Sequence, residues 1–90
     1  MGKQKTKPVE RSENLISTLN ELILYNDDVN SFEFVIESLV EVCGHDPEQA
    51  EQCTLIAHIK GRCAIKSGSF NELRLMSEEL ARRGLTVTID

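Results

Sequence analysis

Three glycines punctuate this chain, and each one closes a stretch that opens with a helix-capping side chain. Gly44, Gly61 and Gly84 each follow a run of helix length. Glycine suits such ends because, lacking a Cβ, it adopts the left-handed conformation in which helices commonly stop. Each run also begins with a side chain able to accept from a free helix N–H. Asn30-Ser31-Phe32-Glu33 is capping-box-like, with Asn three residues before Glu. Asp46-Pro47-Glu48 sets a capping Asp before a Pro at the first helical position. Ser69-Phe70-Asn71-Glu72 is a Ser-x-x-Glu box. Phe32, Val35, Ile36, Leu39, Val42 and Cys43 then recur at helical spacing, as do Phe70, Leu73, Met76 and Leu80. The middle run is different. Its face of Ala50, Cys53, Thr54 and Ala57 is made of small residues, which lets a neighbour approach closely.

Strands fill the gaps. Leu22-Ile23-Leu24-Tyr25 is a short apolar run halted by Asn26-Asp27-Asp28, whose side chains favour turns by bonding their own backbone. Arg62 to Lys66 reads as a second strand ended by a Ser67-Gly68 turn. Leu85 to Ile89 alternates apolar and polar residues, as a half-buried strand does. The order β-α-α-β-α-β predicts an α+β, two-layer domain with a three-stranded antiparallel sheet packed against three helices. Ninety residues suffice for one such domain. Residues 1–18, polar and carrying Pro8, read as a flexible N-terminal extension, and residues 19–90 as the core domain.

Composition narrows the function. The net charge is −5, aromatics are 4%, and the basic cluster Lys3, Lys5, Lys7, Arg11 stands alone, which argues against a nucleic-acid partner. No apolar run is long enough to span a membrane, and none has the make-up of a signal peptide, so a cytoplasmic location and no membrane partner are expected. Without coiled-coil heptads, a monomer is expected. Three cysteines without a CxxC do not make a disulfide framework. Cys43 with His45 is half of a metal-ligand set, but Cys53 and Cys63 fall on an expected core face, where free thiols act as small hydrophobes. No metal or other cofactor is expected. No phosphate-cradling glycine loop and no nucleophile beside a base are apparent, so the chain does not read as an enzyme.

What remains is Asn26-Asp27-Asp28 at a strand end and His58 near a helix end. In one reading these are an ordinary turn and a dipole-favoured helix terminus. In another they are an ammonium site. An α-ammonium carries three donors and no acceptor, and Asn Oδ1, an Asp carboxylate and a neutral His nitrogen supply three acceptors, one of them charged.

The segment LILYNDDVNSFEFVI at 22–36, together with Leu55-Ile56-Ala57-His58-Ile59-Lys60-Gly61, resembles the ClpS family, adaptors of the ATP-dependent Clp protease. The resemblance covers residues 19–90. It implies an adaptor that binds N-degron substrates beginning with Leu, Phe, Tyr or Trp and hands them to the N-domain of a Clp AAA+ unfoldase of the ClpA or ClpC type. The positions matching the amine-binding residues are Asn26, Asp27 and His58. Those matching the hydrophobic pocket are Asn30, Phe32, Val35, Thr54, Ala57 and Leu85. Glu72 and Arg74 match part of the unfoldase docking surface, and the N-terminal extension matches the delivery arm. The chain departs from the family pattern at Phe32 (usually Met), at Thr54 and Ala57 (usually Met and Val) and at Asn30-Ser31 (usually Thr-Pro). An alternative is a protein-interaction module, similar to the C-terminal domain of the ribosomal stalk protein, in which Asn26, Asp27 and His58 need not converge. Another is an inhibitory adaptor that docks on the unfoldase without binding N-degrons.

Overall fold

The computed structural model describes residues 19–90; the expected extension at 1–18 lies outside them. The elements run β1 (Leu19–Tyr25), α1 (Phe32–Cys43), α2 (Pro47–Lys60), β2 (Arg62–Ser69), α3 (Phe70–Arg82) and β3 (Val87–Ile89). The sheet is antiparallel with order β2-β1-β3, so β1 is the central strand. This is the α+β class and the element order expected from the sequence. Leu22 and Leu24 of β1, Leu39 of α1, Ala50 and Ala57 of α2, Ile65 of β2 and Leu73 and Leu80 of α3 share one buried core. The small residues of α2 therefore serve as expected, with Ala50 and Ala57 almost fully enclosed.

Two of the three helix starts follow the expected caps. Asp46 accepts from Gln49 N–H, and Ser69 and Glu72 close a full capping box. The first start is shifted. Ser31, not Asn30, is the N-cap of α1, and its hydroxyl accepts from Phe34 N–H at 3.1 Å. Asn30 is drawn away by bonds to Asp27 and Gly84.

The expected turn at Ser67-Gly68 is part of β2, which pairs with β1 as far as Leu19 opposite Ser69. The reason is local. Ser69 is both the last strand residue and the cap of α3, which leaves no residues for a turn. A Cβ at Gly68 would sit 2.7 Å from Glu72 Oε1, so glycine leaves room for the box to close.

The last strand is shorter than its alternation suggests. Gly84, at φ 92°, donates to Ala81 O at 2.9 Å, and Leu85 N–H donates to Leu80 O at 3.0 Å. This Schellman pair ends α3 and turns Leu85 into the core before β3 begins.

Cys43 is buried, and Cys53 and Cys63 are half-buried against the same core. Burial, opposed by nearby Lys66, pushes the Cys43 thiol up to about 11. His45 is buried beside β2. Its Nε2 lies 2.7 Å from the Ile65 carbonyl, which can only accept, so that nitrogen carries the proton.

Candidate functional site

The end of β1, the loop after it and the C-terminal half of α2 meet at a cavity of about 260 Å³. One backbone bond explains the meeting. Asn26 N–H donates to the carbonyl of Gly61, at 3.0 Å, so the first loop residue is tied to the residue that ends α2. Asn26 and His58, far apart in sequence, thereby line one cavity.

Its polar lining is Asn26, Asp27, Asp28, Asn30 and His58; Leu24, Phe32, Val35 and Ala57 give the apolar part, with Tyr25 and Thr54 between. Thr54 is less polar than its name. Its hydroxyl proton goes to Ala50 O at 2.8 Å, within its own helix. Tyr25 has its phenol anchored by Thr88, whose hydroxyl donates to it at 3.1 Å.

Asp27 organises the loop. Its Oδ1 accepts from Val29 N–H at 2.9 Å and Asn30 N–H at 2.8 Å, and its Oδ2 accepts from Asn30 Nδ2 at 3.1 Å. This is an Asx turn with an added side-chain bond. Burial raises the Asp27 pKa, but the bonds from Asn30 and Val29 together outweigh it and hold the carboxyl below its ordinary value. A carboxylate oxygen takes about two hydrogen bonds, so Oδ2 keeps acceptor capacity for a ligand. The negative end of the α2 dipole adds to the attraction for a cation at this spot.

Among the described residues, no side-chain hydrogen bond engages Asn26 or His58. Both therefore have acceptor capacity available. The imidazole of His58 instead meets the ring of Phe32 edge-on.

The cavity thus gathers Asn26, Asp27, His58, Asn30, Phe32, Val35, Thr54 and Ala57. Leu85 is not on it; the Schellman turn buries that side chain in the core. Glu72 and Arg74 lie on α3, away from the cavity, with Glu72 in the capping box and Arg74 paired to Glu78 at 3.0 Å. Leu24, Tyr25 and Asp28 also line the cavity, though their roles were not singled out in the sequence. Asp28 belongs to the Asn-Asp-Asp run already marked in the sequence, though without a role of its own. Leu24 and Tyr25 look like any strand residues.

The family model described as ATP-dependent Clp protease adaptor protein ClpS matches residues 17–88. The chain belongs to the ClpS family. A ClpS adapter protein from Nitratidesulfovibrio vulgaris is 32% identical to this ClpS-family chain over 56 residues, a match spanning 60% of the chain and 56%, just over half, of that relative. The structure of Agrobacterium tumefaciens ClpS2 bound to L-phenylalaninamide superposes with a TM-score of 0.70. It is 20% identical, covering 81% of this chain and 95% of that one, and at this identity the likeness concerns the fold. No helix among the described residues of this ClpS-family chain is long and apolar enough to cross a membrane.

Proposed function

We propose that this ClpS-family chain is an adaptor that binds the N-terminal residue of other proteins and delivers them to a Clp AAA+ unfoldase, without itself catalysing a reaction. The observation that carries this reading is one cavity holding two kinds of lining. Asn26, Asp27 and His58 supply acceptors for an α-ammonium, and Val35, Ala57, Phe32 and Leu24 supply an apolar wall for the first side chain. Size agrees. A cavity of roughly 150 Å³ already accepts benzene, and this one, at about 260 Å³, has room for a phenyl-sized side chain and the amine that bears it. The convergence of Asn26, Asp27 and His58 favours this over an interaction module that needs no such meeting. The ligand in the Agrobacterium tumefaciens structure, L-phenylalaninamide, is itself a bulky apolar side chain on a free amine.

In this reading Leu, Phe, Tyr and Trp are the preferred first residues. Glu72 and Arg74 form part of the docking surface for the unfoldase N-domain, and residues 1–18 serve as the delivery arm.

The test is fluorescence anisotropy with labelled peptides beginning with Phe, Leu, Tyr, Trp or Ala, each with a free and an acetylated N-terminus. Binding is expected only for a free amine followed by a bulky apolar side chain. Delivery is read by degradation of a reporter beginning with Phe in the presence of a Clp unfoldase and its peptidase. Unfoldase docking without peptide binding would point instead to a blocking module.

A further inference from the structure

The side-chain amide of Asn30 reaches two acceptors at once. Its Nδ2 lies 3.1 Å from Asp27 Oδ2 and 2.9 Å from the carbonyl of Gly84, fifty-four positions further along the chain. Both neighbours can only accept, so the amide nitrogen and not its oxygen must face them. Each NH₂ proton then has one partner. The Asn30 backbone N–H adds a bond to Asp27 Oδ1 at 2.8 Å.

A carboxylate held through one oxygen alone can still rotate, because the terminal torsion of Asp is broad. Here Oδ1 is fixed by two backbone N–H groups and Oδ2 by the Asn30 amide, so the plane of the carboxylate is set. The amide is in turn held by a turn that is itself well anchored, since Gly84 and Leu85 close the end of α3. No other side chain of similar size does this. A hydroxyl has one proton and can reach Asp27 or Gly84, but not both.

We infer that Asn30 is a positioning residue of the amine site: by bridging Asp27 Oδ2 to the Gly84 carbonyl it makes the α3–β3 turn a back support for the carboxylate that meets the ammonium. This rests on the proposed function. It gives Asn30 a task distinct from that of a pocket wall.

The other ionisable groups lining the cavity are Tyr25 from β1, Asp28 from the loop and His58 from α2. Arg83, beside Gly84, is turned to Glu41 at 2.8 Å and Glu79 at 3.4 Å. The experiment follows the Asp27 carboxyl by carbon-detected NMR titration in wild type, Asn30→Ala and Asn30→Thr, alongside binding of a peptide beginning with Phe, with a free or acetylated amine. In Asn30→Ala the Asp27 midpoint should rise, because a bond to the charged form is gone. Affinity for the free amine should fall about ten-fold, the scale of one lost hydrogen bond. Asn30→Thr, with a single proton, should lie between on both readouts. A merely structural role would lower the melting temperature and leave the Asp27 midpoint where it is. A midpoint or an affinity that stays at the wild-type value in Asn30→Ala overturns the proposal. If wild type binds no free-amine peptide, the proposed function fails, and the Asp27 midpoint alone decides the positioning role.

Discussion

The ring of Phe32 stands edge-on to the imidazole of His58, with centroids 6.3 Å apart and planes at 86°. Phe32 is the first residue of α1 and His58 lies in the last turn of α2, so the pair joins the two helices across the cavity that both line. Edge-to-face contact puts the positive rim of one ring against the negative face of the other and is worth about 0.5–1.5 kcal/mol beyond burial.

Phe32→Ala should therefore weaken binding of a peptide beginning with Phe, by about 0.5–1.5 kcal/mol for the ring pair alone and by more once the lost wall is added. The loss has two parts, a missing wall and a His58 ring no longer held. Phe32→Leu, which restores much of the wall, should recover less than half of it. Calorimetry on the three proteins measures this, and equal affinities would make the ring pair incidental to binding.

Asp27→Ala should weaken binding of a free-amine peptide by about 2–5 kcal/mol, because a desolvated ammonium is left short of its charged partner. Binding of the acetylated peptide, weak to begin with, should barely change. Asp27→Asn keeps an oxygen for the Val29 and Asn30 N–H groups but sets its own NH₂ against that of Asn30, so the loop should loosen as well. Wild-type affinity in Asp27→Ala would refute the amine assignment.

Alkali should destabilise the fold through Cys43. Burial, against the pull of Lys66, raises its thiol from 9.0 to about 11. A raised acid favours the protonated form in the folded state. Its contribution is therefore complete below pH 9.0 and is lost as the pH climbs through about 11. That difference corresponds to about 3 kcal/mol. Urea unfolding from about pH 8 to 11 should show this decline, with a shallower slope in Cys43→Ala. Some slope should persist there, because burial and then the neighbouring Cys63 push Cys53 to about 11 too.

Ser31→Ala should cost about 1 kcal/mol of stability, the usual loss of an N-cap oxygen. Since Ser31 lies outside the cavity lining, peptide affinity should hold. Chemical denaturation and anisotropy on the same preparation separate the two effects.

Much of this architecture was legible because helix ends are chemical signals. Asp46-Pro47 and Ser69-x-x-Glu72 are read from two or three residues, and both caps form as expected. Asn30 misled for a physical reason. Asn and Ser both cap helices well, and the local sequence does not reveal that Asn30 has partners at Asp27 and, from the far end of the chain, at Gly84. The Ser67-Gly68 pair likewise looks like a turn until the register shows Gly68 opposite Asn20. In the site, Asn26, Asp27 and His58 stood out because they are polar at the ends of elements. Leu24 and Tyr25 did not, because a strand residue that lines a cavity has the same composition as one that lines a core. Leu85 lies off the cavity lining because its turn depends on how α3 ends, and alternation in the residues after it says nothing of that.

The central place of β1 has one more consequence. With β2 on one side and β3 on the other, Leu22, Ile23 and Leu24 have partners along both edges and sit almost wholly buried. Their amides should exchange with solvent deuterium only through whole-domain unfolding, whereas loop amides escape by small local openings. The cavity loop begins one residue beyond this strand. Under the proposed function, a substrate would grip the adaptor beside its slowest-exchanging segment, and an unfoldase pulling on that substrate would draw against the part of the adaptor most resistant to being unravelled.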